Sequence, residues 1–511
     1  MAVDNVQNVD VTIIGGGPTG LFTGLLLDRL GVSVVVIDAK PQSLDLGRAD
    51  ALNARTQQYF EVAKILDDLL PLGLKCNTSS TFGNGDFLSR QNKWWIGIQH
   101  ALHKNFLMIG QPIVERLLSQ RLTPGRIHYG ETAQHISERP LDGLVDVVTS
   151  SGRRLRSRYA VGADGARSTV RQAMGIGFAG TKPEMLWAVL DVFIDTDFPR
   201  CNEIITFELD GQSRVSWIPR ERGLCRFYVL LEGEVSEERA KMSIKQHMAP
   251  YRVDFTKTEW YSTFDVKERI ASSFTSQDGA GRIILAGDAA HVHSVNGGQG
   301  LNTGIADAFA LAWRLALAVQ QPGLQPNAAA TLLRSYDIER RGTAQAVIDV
   351  AAKLVRDTVH QAEQYVGRIE KSAAYITGMG VAYHELNSPL IEASAHGIWK
   401  AGHRCPDLDM ETESGKTRIY AEVSYGKHLV VSIGRVGDVI GREAVALPLH
   451  ILPQNAAKSG CELLKAKGKV FTAAWADEQD CFMVVVRPDM YIGFVGRDSS
   501  DCKAYLQRLF V

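Results

Sequence analysis

Residues 9–20 read VDVTIIGGGPTG, a short apolar run that leads directly into a cluster of glycines. The next ten residues, LFTGLLLDRL, are apolar and compatible with a helix, and Gly31 interrupts that pattern. Residues 32–37, VSVVVI, are a second apolar run, followed by Asp38. A strand, a glycine turn, a helix and a second strand in this order predict the start of a parallel, doubly wound α/β sheet.

The glycines follow the spacing Gly15-x-Gly17-x-x-Gly20, which suits a turn that holds a phosphate. Gly15 would permit the tight turn, Gly17 would let the backbone approach a pyrophosphate, and Gly20 would let helix and strand pack closely. The free N–H groups at the start of the helix would attract the negative charge. Asp38 lies 18 residues after Gly20, where a carboxylate can accept bonds from ribose hydroxyls. We therefore predict a dinucleotide site. This pattern does not separate FAD from NAD, and a glycine turn without a ligand is the alternative.

The composition limits the classes of partner. A formal net charge of -1 over 511 residues gives no electrostatic reason to expect nucleic acid or an anionic membrane as a partner. No apolar run reaches the roughly 18 residues that span a bilayer. The first residues lack a basic segment and an apolar signal core, so we expect a cytoplasmic protein. The seven cysteines show neither CxxC nor Cys/His metal spacing, so we expect reduced thiols and no metal site.

Two later stretches repeat the combination of a strand and a sharp glycine turn. Residues 159–168, YAVGADGARS, bring a strand to an Asp-Gly turn, and residues 282–291, RIILAGDAAH, bring another strand to a Gly-Asp turn. Residues 297–304, GGQGLNTG, then open a helix. In this order and with these distances, the motifs resemble those of the class A flavoprotein aromatic hydroxylases, from residue 9 to about residue 355.

The resemblance implies FAD as the bound cofactor and NADPH or NADH as the electron donor. In that family the glycine turn holds the pyrophosphate, Asp38 binds the ribose, Asp288 binds the ribityl chain, and the backbone of residues 298–302 meets the flavin ring. Arg48 matches a position that pairs with phosphate or ring, whereas Arg55 is interpreted as surface charge. The residues expected at the cofactor are Gly15, Gly17, Thr19, Gly20, Asp38, Arg48, Gln111, Asp164, Gly165, Gly287, Asp288, Gly298, Gln299, Gly300, Leu301 and Asn302.

Three further stretches are similar to the phenol hydroxylase group of that family. They are GRAD at 47–50 with ART at 54–56, IPRE at 218–221 with RFY at 226–228, and VRPD at 486–489. The resemblance implies a phenolic or other aromatic small molecule as substrate, hydroxylated by dioxygen through a flavin hydroperoxide. Asp50 is then the candidate general base for the phenolic proton, Tyr228 orients the hydroxyl, and Arg220 stabilises the anion. Arg226 is an alternative to Arg220. A helix-capping Asp50 and a Tyr228 that only packs in a sheet are the structural alternatives.

Other interpretations of this scaffold stay open. Baeyer–Villiger oxygenation of a ketone is one, and a FAD-binding redox protein without oxygenation is another. A halogenase is disfavoured because WIP at 217–219 lacks the second tryptophan of the halogenase pattern. Ser294-Val295 stand where the family usually has a proline beside the flavin, which leaves the shape of the pocket open. His291 and His293 are expected to pack around the flavin loop and not to bind a metal.

The predicted architecture has three domains and a connection. A discontinuous Rossmann-type FAD-binding domain comprises residues 1–85, 105–180 and 281–345, and it is interleaved with a mixed β-sheet substrate domain at 86–104 and 181–280. Residues 346–400 form a helical connection. Residues 401–511 resemble the thioredoxin-like extension of the phenol hydroxylase group. Because that segment has no CxxC, we expect it to serve packing or a homodimer and not redox exchange.

Overall fold

A computed structural model describes residues 6–92, 95, 98, 100–139, 141–182, 185–199, 202–210, 212–265, 267–279, 281–293, 298–320, 323–360, 371–434, 446–455, 468–477 and 479–511. Its first sheet has seven strands: five of them are parallel, and two more are added in antiparallel pairing at one edge. With strands and helices numbered along the chain, these are β1 (Val6–Ile14), β2 (Val34–Asp38), β8 (Ile127–Tyr129), β9 (Ala133–Glu138), β10 (Val145–Thr149), β11 (Arg154–Gly162) and β19 (Ile283–Leu285). All five residues of β2 are buried, as expected for a parallel strand covered on both faces.

Helices pack against one another over this sheet. The helix predicted after the glycine turn is α1 (Pro18–Arg29), and it begins at a proline, which is tolerated in a first helical turn. It packs against α4 (Gln111–Arg121) and α7 (Gln299–Gln320). Helix α7 is apolar on nearly all sides and almost wholly buried, which is the pattern of a helix enclosed by protein.

A second seven-stranded sheet is mainly antiparallel and runs in the order β17-β13-β16-β15-β14-β5-β6. Its strands are β5 (Ser79–Gly83), β6 (Asp86–Gln91), β13 (Leu186–Thr196), β14 (Ile204–Leu209), β15 (Gln212–Pro219), β16 (Cys225–Leu230) and β17 (Val253–Asp265). Strand β5 pairs in parallel with β14, so the predicted boundary at residue 85 falls inside the β5–β6 hairpin of this sheet. Helix α6 (Glu237–Met248) packs on the sheet and shares its apolar core.

Short elements connect the two sheets. Three-stranded sheets are formed by β3 (Ala51–Leu52), β4 (Leu74–Cys76) and β7 (Phe106–Met108), and by β12 (Phe178–Thr181), β18 (Glu268–Ala271) and β20 (His291–Val292). The remaining helices before residue 361 are α2 (Ala54–Val62), α3 (Leu66–Leu69), α5 (Thr169–Ala173) and α8 (Ala328–His360). No helix among the described residues is long and apolar enough to cross a membrane.

The C-terminal part contains a third seven-stranded sheet in the order β24-β23-β27-β26-β25-β28-β29. Strands β25, β26 and β27 are parallel, whereas β28 is antiparallel to β25 and β29 is antiparallel to β28. The elements are the hairpin β21 (Ala395–His396) and β22 (Trp399–Lys400), the strands β23 (Asp409–Thr412), β24 (Gly415–Arg418), β25 (His428–Gly434), β26 (Ala446–Pro453), β27 (Lys469–Ala473), β28 (Cys481–Val486) and β29 (Ile492–Gly496), and the helix α9 (Ser499–Leu506). Residues 461–468, CELLKAKG, have the pattern of a helix in the sequence, and all but the last of them lie outside the described residues.

Buried ion pairs join the C-terminal sheet to α7 and α8. Arg487, in the VRPD stretch, donates to both carboxylate oxygens of Glu339 at 2.6 and 2.7 Å. Arg314 donates to Glu339 at 2.6 Å and to Asp489 at 3.1 Å, and Arg487 also bonds Asp489 at 2.6 Å. All four side chains are at most 2% exposed. The mixed α/β fold therefore contains several sheets, and the C-terminal sheet is joined to α7 and α8 across a buried interface.

Candidate active site

The glycine turn between β1 and α1 forms a cradle with room in front of its backbone. Gly15 has a φ of +113°, and a Cβ there would lie 2.1 Å from the carbonyl oxygen of Ala163. A Cβ on Gly20 would lie 1.9 Å from the Gly15 carbonyl oxygen, so only glycine permits this contact of helix and turn. A Cβ on Gly17, the N-cap of α1, would meet nothing within 4 Å. Open space before a helix N-terminus fits the pyrophosphate of a dinucleotide.

Asp38 closes the end of β2 against this cradle. Its Oδ2 accepts the backbone N–H of Gly16 at 2.5 Å, and its Oδ1 accepts that of Lys40 at 2.7 Å. The side chain is buried, which positions a carboxylate directly beside the turn. The geometry agrees with a ribose-binding acid, whose further role toward a cofactor stays a prediction.

The Gly287-Asp288 turn is held by a buried carboxylate that the sequence did not reveal. Asp307, on α7, accepts the backbone N–H of Gly287 at 2.9 Å, His291 Nε2 at 2.7 Å and Arg340 Nε at 2.7 Å. Burial alone would raise the pKa of Asp307, but the charges of His291 and Arg340 outweigh burial and lower it. His291 therefore packs and bonds at the turn, and no group of acidic, His or Cys side chains among the described residues could hold a metal.

Asp288 projects from the turn with its side chain exposed. Thr19 packs directly against this turn: a Cβ added to Gly287 would lie 2.7 Å from Thr19 Oγ1. In the structure Thr19 is thus a packing contact between α1 and the turn.

The first turn of α7 is tied to the neighbouring strand β3. Asn302 accepts the backbone N–H of Asn53 at 2.9 Å and donates to the carbonyls of Ala51 at 3.0 Å and Gly298 at 2.7 Å. The Gln299 side chain donates to the carbonyl of Ile376 at 2.8 Å. Because the side chains of Asn302 and Gln299 bond to the protein, the backbone of residues 298–301 is the part of this turn that could contact a flavin. Ser294 and Val295, together with residues 296 and 297, lie outside the described residues.

Other predicted cofactor residues serve local structure. Gln111 accepts the backbone N–H of Ala49 at 3.2 Å and so holds the loop that carries Arg48, an exposed residue with a φ of 67°. Asp164 accepts Ser168 Oγ at 2.5 Å and the backbone N–H of Thr169 at 2.7 Å, which caps α5. Gly165 has a φ of +81° and open space around it. Cofactor contacts by these residues remain predictions.

Asp50 and Tyr228, distant in sequence, meet at the boundary of the two N-terminal sheets. The Tyr228 hydroxyl donates to Asp50 Oδ2 at 3.1 Å. Burial, and next the charge of Asp50, raises the pKa of Tyr228 well above its ordinary value despite Arg226 nearby. The hydroxyl therefore stays protonated near neutral pH and can act as a donor.

Arg226 is fully buried between two carboxylates. Its Nε and Nη2 each donate to Asp191 at 2.6 Å, and its Nη1 lies 3.4 Å from Asp50 Oδ2. Nη1 also donates to the carbonyl oxygen of Arg48. Asp191, on β13, was not singled out from the sequence, because a single acid in a predicted strand carries no local signal. Together these residues place one positive charge beside Asp50.

Arg220 belongs to the same cluster one step away from Asp50. It forms a bidentate pair with Glu221 at 2.8 and 2.9 Å, and its Nη1 lies 3.5 Å from Asp191. The structure thus brings Arg226 next to Asp50 and links Arg220 to the cluster through Asp191.

The sequence interpretation of Arg55 as surface charge is wrong, because this side chain is only 2% exposed.

Comparison with known proteins identifies the family of the chain. Residues 8–351 match the model of the family described as FAD binding domain. The phenol 2-monooxygenase fsqG of Aspergillus fumigatus is 29% identical over 96% of this chain and 94% of its own length. The 3-hydroxybenzoate 4-monooxygenase of Comamonas testosteroni is 29% identical over 74% of this chain and 66% of its own length.

Solved structures show the same fold. Aklavinone-11 hydroxylase, in a complex with FAD and aklavinone, has a TM-score of 0.79 at 20% identity and covers 99% of both chains. The flavin-dependent monooxygenase PieE, in complex with FAD and substrate, has a TM-score of 0.76 at 19% identity over 98% of this chain and 99% of that one. With its glycine cradle and its family match over residues 8–351, the chain belongs to the FAD binding domain family and is a FAD-dependent monooxygenase of the class A aromatic hydroxylase type.

Proposed function

We propose that the protein hydroxylates a phenolic small molecule with dioxygen, using FAD and electrons from NADPH or NADH. The observation that carries the proposal is the 3.1 Å hydrogen bond between the Tyr228 hydroxyl and the Asp50 carboxylate. A base beside a hydrogen-bonding phenol is the arrangement that can bind and deprotonate another phenol. The names of two relatives, a phenol 2-monooxygenase and a 3-hydroxybenzoate 4-monooxygenase, support the substrate class.

Asp50 is suited to hold the proton. Tyr228 and Arg226 both approach its Oδ2, and among the hydrogen bonds of the described residues Oδ1 takes part in none. Oδ1 is thus the oxygen that would accept the phenolic proton. The Tyr228 hydroxyl would also form a hydrogen bond with the substrate oxygen and so orient the substrate ring. Electron-rich phenolate reacts faster than phenol with an electrophilic oxygen donor, so proton removal accelerates the transfer.

Arg226 would stabilise the negative charge that this proton transfer leaves on the substrate. Asp191 holds the guanidinium by two bonds, so the charge is oriented before the reaction and needs no rearrangement. Arg220 would support the same cluster through Asp191.

FAD would bind in the cradle formed by Gly15, Gly17 and Gly20, with Asp38 and Asp288 as ligands of its sugar groups. When bound, it would accept electrons from the nicotinamide and activate dioxygen. The bonds of Asn302 and Gln299 fix the start of α7, whose N–H groups would stabilise negative charge on the reduced ring. A dry site is also required, since water promotes loss of peroxide before transfer.

For the C-terminal part we propose a thioredoxin-like domain without redox function. The support is its mixed sheet, in which parallel β26 and β25 are followed by antiparallel β28 and β29 and then by α9. Cys405 is buried, and burial raises the pKa of its thiol well above the ordinary value, so it is a poor nucleophile. The domain would serve packing, through the buried ion pairs of Arg487.

The substitution Asp50→Asn tests the base. FAD binding and flavin reduction should stay near wild type, because neither needs this proton acceptor. Oxygen transfer should fall by roughly 10²–10⁴-fold, as is typical of losing a general base. NAD(P)H would then be consumed with release of peroxide, which rapid-mixing spectra and product yield measure separately. Wild-type coupling in Asp50→Asn would assign Asp50 to the scaffold.

Tyr228→Phe should lower the coupling in the same direction but less severely, because it removes an orienting bond and leaves the base. Tyr261→Phe is the matched control. Tyr261 lies on β17 of the same sheet, and its hydroxyl has no hydrogen-bond partner among the described residues. Loss of the Tyr261 hydroxyl should leave coupling unchanged.

Two experiments separate the proposal from its alternatives. Product analysis with labelled dioxygen distinguishes hydroxylation from Baeyer–Villiger insertion. Equal NAD(P)H consumption with and without every phenol tested would favour a redox protein without oxygenation.

A further inference from the structure

We infer that the protein has a second small-ligand site, a partly open pocket beside Arg55 that binds a small monovalent inorganic anion such as chloride. The cavity measures about 30 Å³ and lies between α2, the start of α7, α8 and Tyr491 of the C-terminal part. Arg55, Thr56, Asn53, Thr303 and Arg340 are among its lining residues. Asp50 and Tyr228 do not line it, whereas Gln299 and Asn302 do, so the pocket borders the turn of α7 that is proposed to face the flavin. The inference does not rest on the proposed reaction.

Arg55 is a buried cation without a carboxylate partner. Its side chain is 2% exposed, yet no carboxylate oxygen of the described residues lies within 4 Å of it. Its Nη1 donates to Gln58 and to the Tyr420 hydroxyl, each at 2.9 Å, and its Nη2 donates to the Asp489 carbonyl at 3.3 Å. Its Nε has no partner among the described residues. Buried charges are normally paired, and among the described residues this guanidinium has no anionic side-chain partner.

The surrounding charges do not supply that counter-ion. Three other buried guanidiniums lie in the same interior and each has its own acids: Arg340 pairs with Asp307, and both Arg314 and Arg487 pair with Glu339 and Asp489. Among the described residues, Asp307, Glu339 and Asp489 are thus already paired with other cations. The aromatic rings of Tyr59 and Tyr491, 4.6 and 5.2 Å from the Arg55 guanidinium, reduce the cost of burial but carry no charge. One negative charge would complete the cluster.

The cavity has the size and the donors for such an ion. A volume of about 30 Å³ exceeds what a single water requires and suits a halide. Thr56 is buried, and its Oγ1 has no hydrogen-bond partner among the described residues, so a donor is available beside the guanidinium. These features together favour chloride or bromide over a substrate-sized ligand.

Crystals of the FAD-loaded protein grown with bromide locate the ion directly. We expect an anomalous peak in the cavity within contact of Arg55 and Thr56. A cavity that holds only water at saturating bromide contradicts the inference.

Thermal unfolding supplies the solution test. Replacing gluconate by chloride at constant ionic strength should raise the Tm of the holoenzyme by about 1–2 °C, because the anion binds only the folded chain. Thr56→Val should reduce this chloride effect by more than half, since it removes a donor without a change in shape. Thr12→Val is the matched control: Thr12 is equally buried and without a partner for its hydroxyl, but it lies on β1 away from the cavity. The same chloride dependence in all three proteins would overturn the inference.

Discussion

At the scale of single residues, valine at two glycines of one turn should have different effects: one on FAD binding and the other on the stability of the fold. A Cβ on Gly17 meets nothing, whereas a Cβ on Gly20 would lie 1.9 Å from the Gly15 carbonyl oxygen. Gly17→Val should therefore lower the free energy of unfolding of the apoprotein by less than about 1 kcal/mol, yet abolish retention of FAD. Gly20→Val should lower that free energy by about 3 kcal/mol, because backbone must move. Denaturant unfolding of the apoproteins and the FAD content after purification measure both, and a yellow Gly17→Val protein would contradict the pyrophosphate site.

At the scale of one element, α7 depends on how closely it approaches α1. A Cβ on Gly304 would lie 2.3 Å from Thr19 Oγ1, whereas one on Gly300 finds only His293 Cε1 at 3.9 Å. Gly304→Ala should thus lower the free energy of unfolding of the apoprotein by about 1–3 kcal/mol. Gly300→Ala, its control in the same helix, should change that value by less than about 1 kcal/mol. Equal stability of the two variants would show that the α1–α7 contact is not tight.

At the scale of the whole molecule, the C-terminal part is bound to α7 and α8 by buried charges. Arg487→Met leaves Glu339 and Asp489 short of one cation in a dry interior. The free energy of unfolding should fall by about 3–5 kcal/mol, the usual cost of breaking a buried pair from one side. Arg508→Ala removes a half-exposed pair with Glu392 from the same part of the chain and should cost less than about 1 kcal/mol. Chemical denaturation of both variants checks the difference.

The same interface predicts how the whole molecule responds to acid. Burial alone would raise the pKa of Asp489, but Arg487 and Arg314 outweigh it and lower the pKa from 3.8 to about 2. A depressed pKa means that the carboxylate stabilises the folded state fully above about pH 4 and less as the pH falls toward 2. Wild-type protein should lose stability across that window, and Asp489→Asn should be less stable at neutral pH with a smaller loss on acidification. Unfolding followed from pH 7 to pH 2 measures both; identical pH slopes would contradict the assignment.

Local patterns were sufficient for the start of the first sheet and for a dinucleotide site, and the resemblance of several motifs then indicated FAD. The glycine turn, the strands around it and the helices α1 and α7 occur where the sequence predicts them, and the family match confirms FAD. These features depend on residues that are neighbours in the chain: alternation or continuity of apolar residues selects the element, and glycine spacing selects the turn. Asp50, Tyr228 and Arg220 could be named only through a resemblance of short motifs.

Only the tertiary structure decided the contacts between segments that are distant in the sequence. Asp50 and Tyr228 are 178 residues apart, and the folded chain alone shows them in a hydrogen bond with Arg226 and Asp191 beside them. The burial of Arg55, the assignment of β5 to the second sheet and the support of the Gly287 turn by Asp307 likewise have no local signal. The physical reason is that burial and electrostatics depend on which surfaces pack together, whereas sequence periodicity reports only which face of an element is apolar.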